Sequence, residues 1–252
     1  MKLDSAIIIA KRSTKTVYRD GNRTIKVFEP SFSVADVLNE ALNLARVGEG
    51  TTLNIPRLQE VTTIDGKWAI VYDYIEGRSL TDLMLSYPEK FDEHLNLFVD
   101  LQMQVHAQNV PLLTKLRDKM HRKISMTGLD ATTRYELHTR LEGMPRHNKL
   151  CHGDFNTANI ILTPDGTPFI LDWSHATQGN ASADVARTYL LYCLKGKSEE
   201  AERYLNLFCS KSDTAKQYIQ RWMPIVAASQ SVKGKPEEQA FLRTWLDVVE
   251  FE

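Results

Sequence analysis

The sequence predicts an α+β protein in which the strands come first and the helices follow. β-Branched and aromatic runs, separated by the turn Asp20-Gly21-Asn22, indicate a β-meander over residues 6–28. Apolar residues at helical spacing appear from residue 34 and dominate the chain after residue 90. This order predicts a small antiparallel sheet at the N-terminus and a larger, mainly helical region behind it.

The same patterns locate the individual elements. The predicted strands are Ala6–Ala10, Thr16–Arg19, Thr24–Phe28, Trp68–Tyr74, Ile160–Leu162 and Pro168–Leu171. The predicted helices are Val34–Val47, Phe91–Val110, Ala183–Leu194 and a helical series from Ser198 to Glu252. A further helix begins at Ser79, with Asp82 as its capping-box partner. In the first helix we expect the core-facing apolar stripe to be Val34, Val37, Leu38, Ala41, Leu42 and Ala45.

Composition excludes several classes of protein. The chain has 252 residues and a formal net charge of -1, so no overall field attracts nucleic acid or an anionic membrane. The three cysteines, Cys151, Cys193 and Cys209, form no Cys-x-x-Cys pair and indicate neither a disulfide framework nor a zinc ribbon. No apolar run approaches the length of a membrane span. We therefore predict a cytoplasmic protein that binds neither nucleic acid nor a membrane, and the sequence leaves the oligomeric state open.

The densest pattern of polar residues lies within residues 150–173. Asp154 precedes Asn159 by five residues, and a short predicted hairpin then leads to Asp172. Phosphoryl transfer requires a carboxylate near the acceptor hydroxyl and oxygen ligands that hold Mg²⁺ against the phosphates. Asp154 suits the first role, and the oxygens of Asn159 and Asp172 suit the second. The alternative interpretation is that Asp154 and Asn159 are turn residues and that Asp165-Gly166 is only a hairpin turn.

Three motifs in a fixed order favour the chemical interpretation. They are His152-Gly153-Asp154 with Asn159, then Ile170-Leu171-Asp172-Trp173, then Ala183-Asp184-Val185-Ala186-Arg187-Thr188. Together they resemble the aminoglycoside phosphotransferase and choline-kinase-like superfamily, which comprises small-molecule relatives of the protein kinases. The resemblance implies a bilobal protein-kinase-like fold, with a nucleotide-binding N-terminal lobe over residues 1–76 and a catalytic, acceptor-binding lobe over residues 77–252.

The resemblance also implies roles for individual residues. Asp154 looks like the catalytic base, and Asn159 and Asp172 look like the magnesium ligands. The family often has His-Pro-Gly where this chain reads Asn156-Thr157-Ala158, so no role is carried over from that histidine. Asp184 and Arg187 are interpreted as mainly architectural, with Asp184 supporting the catalytic loop.

Further residues of the N-terminal lobe match the order of a kinase fold. Lys26 lies on the third strand, where the family's lysine contacts the α- and β-phosphates, although an isolated lysine there is more often exposed. Glu40, in the middle of the following helix, is the predicted partner of Lys26, and Glu49 is a weaker candidate. Backbone groups of Asp73, Tyr74 and Ile75 match the position of the hinge that binds the purine edge.

The first hairpin departs from the protein-kinase pattern. Its connection, Lys11-Arg12-Ser13-Thr14-Lys15, contains no glycine, although glycine lets backbone N–H groups approach phosphates closely. Hydroxyl hydrogen bonds from Ser13 and Thr14 are one substitute, and a solvated turn is the other interpretation.

These observations predict a magnesium-dependent kinase that transfers the γ-phosphate of ATP or GTP to a hydroxyl of a small molecule. An amine-bearing acceptor, similar to an aminoglycoside or choline, is one option, because the C-terminal region carries the acids Glu237, Glu238, Asp247, Glu250 and Glu252. The alternatives are a catalytically silent nucleotide-binding module, which the glycine-free hairpin favours, and a metal-dependent hydrolase, which lacks a histidine-rich ligand cluster.

Overall fold

The computed structural model describes Leu3 and residues 6–246. The predicted helix positions Val248 and Val249, and the predicted acids Asp247, Glu250 and Glu252, lie outside the described residues. The described chain forms two compact units. The first unit contains the chain up to His94 together with Thr157–His175, and the second contains Leu95–Asn156 and the chain from Ala176 onward.

The elements follow the predicted order. The strands are β1 (Ile7–Arg12), β2 (Lys15–Asp20), β3 (Arg23–Phe28), β4 (Leu58–Ile64), β5 (Lys67–Asp73), β6 (Arg78–Ser79), β7 (Lys149–Cys151), β8 (Ile160–Leu162), β9 (Pro168–Ile170) and β10 (Thr177–Gly179). The helices are α1 (Val34–Gly50), α2 (Leu80–Ser86), α3 (Phe91–Ala107), α4 (Leu116–Ser125), α5 (Ala131–Gly143), α6 (Ala181–Leu194), α7 (Ser198–Ser212), α8 (Lys216–Gln220), α9 (Met223–Ser231) and α10 (Pro236–Leu246).

The first unit is built on a five-stranded antiparallel sheet. Its strand order is β1-β2-β3-β5-β4, which leaves β3 in the centre and β1 exposed along one edge. The chain turns between β2 and β3 at Gly21, whose φ of 59° is a conformation that glycine adopts without steric cost. The meander is predictable from the sequence because the turn residues and the strand-forming residues indicate the same strand boundaries.

Helix α1 packs on this sheet through a face that the sequence predicts only in part. Val37, Ala41 and the later apolar residues Leu44 and Val47 are buried. Three residues of the predicted stripe are instead exposed, namely Val34 (43%), Leu38 (46%) and Leu42 (45%). The reason is that Glu40 shares the buried face with Val37, Ala41 and Leu44 at i+3, i+4 and i+7 spacing. The helix is therefore rotated so that an acidic residue points at the sheet.

The first unit also contains the segment 157–175, far along the chain. Strand β8 pairs with β6 on one side and β9 on the other. The Ile170 N–H donates to the Asn54 carbonyl at 2.9 Å, and the Asn43 side chain donates to the Ser174 carbonyl at 3.3 Å. This grouping differs from the predicted lobe ranges 1–76 and 77–252, since residues 77–94 and 157–175 lie in the same compact unit as the sheet. The functional division of the lobes stays a prediction.

The second unit is mainly helical. Helix α6 packs against α7 and α9, α10 packs against α9, and α4 packs against α5 and α9. Phe98 anchors an aromatic part of the core, with its ring centroid 4.8 Å from that of Phe155 and 5.7 Å from that of Tyr204. Among the described residues, no helix combines the length and the apolar character that crossing a membrane requires.

Candidate active site

A buried carboxylate fixes the loop that carries Asp154. Asp184, near the start of α6, accepts hydrogen bonds from the backbone N–H of His152 at 3.0 Å and of Gly153 at 2.7 Å. The Nε2 atom of His106 lies 3.1 Å from the same carboxylate. Burial alone would raise the pKa of Asp184, but the His106 hydrogen bond and the neighbouring positive charge and N–H groups outweigh it and lower the pKa. Asp184 therefore stays ionised and holds the loop backbone in one conformation.

Asp154 itself is partly buried within a network of local hydrogen bonds. Its backbone N–H donates to Nδ1 of His152 at 3.2 Å, and Nδ2 of Asn156 donates to its carbonyl oxygen at 2.9 Å. The hydroxyl of Thr188 on α6 donates to the next carbonyl, that of Phe155, at 2.9 Å. The loop is thus tied to α6 on both sides of Asp154, which is the pre-organisation that a catalytic group requires.

Arg187 extends this network toward the C-terminal helices. Its Nε donates to the Gly153 carbonyl at 3.4 Å, and its Nη1 donates to Oε1 of Gln230 at 2.6 Å. The amide of Gln230 in turn donates to Glu238, whose other carboxylate oxygen accepts from Lys235 at 2.8 Å. Sequence reasoning singled out Arg187, and named Glu238 only as one of the C-terminal acids. It did not link Arg187 to Gln230, or through Gln230 to Glu238, because more than forty residues separate these residues from Arg187 and no local pattern marks such a contact.

In the first unit, Lys26 lies between two carboxylates. Its Nζ donates a hydrogen bond to Oε1 of Glu40 and lies 3.7 Å from Oδ1 of Asp172. Burial of Lys26, which is 4% exposed, would lower its pKa, but the charges of Asp172 and Glu40 outweigh the burial and raise the pKa. The pair that the element order predicts is therefore present, and the ammonium group stays charged.

Asp172 and Asn159 are joined through the backbone of one segment. The N–H of Leu171, next to Asp172, donates to the Asn159 carbonyl at 2.8 Å. Asp172 has a φ of 60°, in the left-handed region that non-glycine residues enter infrequently and mostly at turns or functional sites. An amide oxygen and a carboxylate are the hard donors that suit Mg²⁺, so this donor set fits that metal. Within the described residues, no group of three or more His, Cys, Asp or Glu side chains has the arrangement of a metal site.

Lys15 is a second lysine near this cluster, and the sequence analysis missed it. In the β2–β3 ladder Lys15 pairs with Phe28 and Val17 pairs with Lys26, so the two lysines are diagonal neighbours on one face of the sheet. Partial burial lowers the pKa of Lys15 to about 8, and the positive charge of Lys26 acts in the same direction. The signal that identifies Lys15 is the strand register, which the isolated sequence of the hairpin does not reveal.

The predicted hinge begins at Asp73, the last residue of β5, and continues with Tyr74 and Ile75. The N–H of Asp73 donates to the Arg57 carbonyl at 3.1 Å, and the N–H of Tyr74 donates to the Asn22 carbonyl at 2.8 Å. The carboxylate of Asp73 also accepts from the side chain of Gln59 at 2.6 Å. Two of the three predicted amide donors are thus engaged inside the unit, and Ile75 is the third member of the predicted segment.

The predicted site residues therefore divide between the units. Lys26, Glu40, Asn159 and Asp172 belong to the first unit, as do Asp73, Tyr74 and Ile75. Asp154 belongs to the second unit, and the chain passes from one unit to the other between Asn156 and Thr157. Within the first unit, contacts bring Lys26, Glu40 and Asp172 together.

The solved structures that resemble this chain include aminoglycoside phosphotransferases and a choline kinase. A thermostable mutant of aminoglycoside phosphotransferase APH(4)-Ia has a TM-score of 0.71 and 16% identity, over 97% of this chain and 93% of that chain. The choline kinase LicA from Streptococcus pneumoniae has a TM-score of 0.60 and 16% identity, over 98% of this chain and 88% of that chain. A GDP complex of an aminoglycoside 2'-phosphotransferase-IIIa mutant has a TM-score of 0.59 and 17% identity, over 97% and 90%. These matches show that the chain has the bilobal protein-kinase-like α+β fold.

Sequence comparison adds the family. The search of curated proteins found no match. A family model described as the phosphotransferase enzyme family, APH, matches residues 12–219, which include the strands of the first unit other than β1, the Asp154 loop and helix α6. This match covers most of the chain, and the chain belongs to the phosphotransferase enzyme family.

Proposed function

We propose that this protein is a magnesium-dependent kinase that transfers the γ-phosphate of ATP or GTP to a hydroxyl of a small molecule. The observation that carries the proposal is the buried, charged Lys26 between Glu40 and Asp172. A buried ammonium group that two carboxylates hold in place is suited to bind phosphate oxygens, because it stays protonated and cannot turn away.

The first unit supplies the nucleotide contacts in this proposal. Lys26 and Lys15 face the phosphates, and Asn159 and Asp172 hold Mg²⁺. The N–H of Ile75 binds the purine edge, since those of Asp73 and Tyr74 already donate to Arg57 and Asn22. A structure of APH(4)-Ia with AMP-PNP and hygromycin B, and the GDP complex of the 2'-phosphotransferase mutant, support a nucleotide as the phosphoryl donor.

Asp154 supplies the base. The acceptor oxygen attacks the γ-phosphorus while its proton moves to the Asp154 carboxylate, and the bond from the γ-phosphorus to the β,γ-bridging oxygen breaks with its electron pair leaving on the diphosphate. Bound Mg²⁺ neutralises charge on the phosphate oxygens. Asp184 and Arg187 act through the loop backbone, because they bind the amides and the carbonyl beside Asp154 rather than its carboxylate.

The glycine-free first hairpin favours the second candidate, a nucleotide-binding module without turnover. The absence of glycine is weaker support for that candidate once Lys15 is considered. A lysine at the end of the hairpin supplies positive charge for the phosphates, where a glycine-rich loop would supply backbone N–H groups. The predicted compartment remains the cytoplasm, in keeping with three cysteines that are all free thiols.

Nucleotide turnover tests the proposal. The protein is incubated with Mg²⁺ and with ATP or GTP, in the presence of aminoglycosides, choline and other small alcohols, beside the Asp154→Ala variant. The expected result is that ADP or GDP forms only when the acceptor is present, and that this turnover disappears in the Asp154→Ala variant. Nucleotide binding without turnover favours the silent module, and failure to bind either nucleotide overturns the kinase proposal.

A further inference from the structure

The guanidinium of Arg187 is buried, and the acceptor oxygens that bind it within residues 6–246 are neutral. Arg187 is 8% exposed. Its Nε donates to the Gly153 carbonyl at 3.4 Å, and its Nη1 donates to the side-chain oxygen of Gln230 at 2.6 Å. A guanidinium stays protonated in proteins, and a buried charge is costly unless an opposite charge lies close to it. Arg187 therefore requires a counter-charge beyond the atoms that it binds.

The side chain of Gln230 connects this cation to a carboxylate. Its oxygen accepts from Arg187, and its amide nitrogen donates to Oε2 of Glu238. A guanidinium only donates hydrogen bonds and an ionised carboxylate only accepts them, so these two partners fix which way the amide points. Gln230 is 2% exposed and Glu238 is 8% exposed, which keeps bulk water away from both hydrogen bonds. The amide dipole thus lies between a positive and a negative group, where each hydrogen bond strengthens the other.

Glu238 carries the negative charge. Burial would raise the pKa of Glu238, but the hydrogen bonds from Lys235 and Gln230 outweigh it and lower the pKa. Lys235 donates to the second carboxylate oxygen at 2.8 Å, and the Glu238 N–H donates to the Lys235 carbonyl at 3.1 Å, at the start of α10. Glu238 is therefore ionised and held in place. Its carboxylate is already engaged, so it is a poor choice among the C-terminal acids for binding an amine-bearing acceptor.

Two other carboxylates act on Arg187, and each differs from Glu238. Burial lowers the pKa of Arg187, whereas the charges of Asp154, Glu238 and Asp184 act in the opposite direction. Asp184 is committed to His106 and to two loop amides. Asp154 loses its negative charge in the proposed reaction, when it accepts the proton of the acceptor hydroxyl. Glu238 both keeps its charge through the reaction and is hydrogen-bonded to the side chain that binds Arg187.

We propose that Gln230 and Glu238 are positioning residues for Asp154. Glu238 supplies the counter-charge of Arg187 through the Gln230 amide, and the guanidinium that is held in this way fixes the Gly153 carbonyl next to Asp154. The inference rests on the proposed function and adds to it a role for α9 and α10. The alternative is that the same hydrogen bonds only hold α6, α9 and α10 together, which predicts a loss of stability without a specific loss of turnover.

Three variants separate these interpretations. Glu238→Gln removes the charge and keeps the size of the side chain. The double variant Gln230→Glu with Glu238→Gln moves the carboxylate one step toward Arg187. It also preserves the chain of hydrogen bonds, because the amide introduced at position 238 donates to the carboxylate introduced at position 230 and accepts from Lys235. Glu199→Gln, which changes an exposed acid in the first turn of α7, is the control for net charge.

The first measurement is turnover of the full-length protein with Mg²⁺ and ATP or GTP, using aminoglycosides, choline and other small alcohols as acceptors. With an acceptor whose phosphorylation requires Asp154, Glu238→Gln is expected to lower kcat about 5- to 50-fold. Nucleotide affinity should change less than about twofold, because the proposed nucleotide contacts lie in the first unit. The double variant is expected to recover kcat to within about threefold of the natural protein, and Glu199→Gln should match the natural protein.

Hydrogen exchange tests the inference without an acceptor. Amide exchange is followed in the natural protein and the three variants, for a peptide that spans residues 150–156 and for a reference peptide from α5. In Glu238→Gln, exchange in the loop peptide is expected to rise at least about threefold while the α5 peptide stays unchanged. The double variant should restore slow exchange in the loop, and Glu199→Gln should leave it as it is.

Several outcomes would overturn the inference. One is that Glu238→Gln has the kcat and the loop exchange of the natural protein. Others are a double variant that turns over no faster than Glu238→Gln, or exchange that rises equally in the loop and in α5, because a purely architectural network does not respond to the position of the charge. If Glu238→Gln does not fold, the double variant decides, and its kcat must lie within about threefold of the natural value.

Failure of the proposed function has a different signature. A natural protein that binds neither nucleotide and phosphorylates no acceptor contradicts the kinase. The exchange measurement then decides alone whether Glu238 controls the loop, since it requires neither nucleotide nor acceptor.

Discussion

The two polar clusters of the protein hold their charges in different ways. In the first unit, Lys26, Glu40 and Asp172 pair side chain with side chain. In the second, Asp184 is almost fully buried and binds mainly backbone N–H groups of the loop that carries Asp154. The carboxylates of the first cluster hold the Lys26 ammonium in place, whereas the Asp184 carboxylate holds the backbone of the Asp154 loop. Mutations in the first should therefore affect nucleotide binding, and mutations in the second should affect stability as well.

The largest effect on stability is expected for Asp184→Ala. The substitution leaves two loop amides and His106 without their acceptor in a buried site, and such losses cost about 3–5 kcal/mol of unfolding free energy. Asp184→Asn, which keeps one acceptor oxygen, should lose less. Urea denaturation of the three proteins measures the difference, and a loss below about 1 kcal/mol in Asp184→Ala would show that the loop does not depend on this carboxylate.

A smaller effect on stability but a clear effect on activity is expected for Glu40→Gln. The amide retains a hydrogen-bond acceptor for Lys26 but removes one of the two negative charges beside its buried ammonium, so the free energy of unfolding should fall by about 1–3 kcal/mol, less than in Asp184→Ala. Turnover should fall about 10- to 100-fold, because Lys26 is less firmly held toward the phosphates. Glu49→Gln, an exposed residue on the same helix, is the matched control. An equal loss in both variants would contradict the role of Glu40.

These predictions depend on different kinds of information. The meander and the Ser79 helix start follow from the sequence because turn residues, strand formers and a local cap specify them. The Lys26–Glu40 pair is expected only from the resemblance to the kinase-like family, through the order of its elements. The Ser79 hydroxyl does accept from the Asp82 N–H at 3.0 Å. The burial of α1 was predicted in part only, because hydrophobic periodicity assigned Val34, Leu38 and Leu42 to the core while the pairing of Glu40 rotates the helix.

Other features were beyond reach from sequence because they depend on long-range contacts. Lys15 became a candidate only once the β2–β3 register put it on the same face as Lys26. The Arg187–Gln230–Glu238 chain joins α6, α9 and α10, and its members have no fixed spacing that a sequence pattern detects. Polar networks of this kind are specified by tertiary packing, so a single sequence gives no local signal for them.

The smallest of the mutational effects is expected for Lys15→Gln. Lys15 is partly exposed and is the second cation beside Lys26, so its loss should weaken nucleotide binding about three- to tenfold. Lys15→Arg should retain the affinity, and Lys11→Gln, on exposed strand β1, is the control. Calorimetric titration with AMP-PNP and Mg²⁺ gives the constants. Unchanged nucleotide affinity in Lys15→Gln would favour the other interpretation, in which the first hairpin is a solvated turn that does not contact the phosphates.

The same lysine predicts a pH dependence of binding. The pKa of Lys15 is about 8, so its positive charge is present at pH 7 and is mostly lost by pH 9. Nucleotide affinity should fall over this range in the natural protein and change less in Lys15→Gln. Lys26, whose pKa is raised, keeps its charge throughout this window. If nucleotide affinity changes with pH in the same way in the natural protein and in Lys15→Gln, Lys15 is not the group responsible.

The measurement that most directly tests the division of roles compares Lys26→Met with Asp154→Asn. Nucleotide affinity and phosphoryl-transfer rate are measured for both variants with Mg²⁺. We predict that Asp154→Asn lowers the rate about 10²- to 10⁴-fold and changes the affinity less than about threefold, since a base acts mainly in the transition state. Lys26→Met should weaken nucleotide binding at least about tenfold. Full turnover in Asp154→Asn, or natural nucleotide affinity in Lys26→Met, would contradict the account.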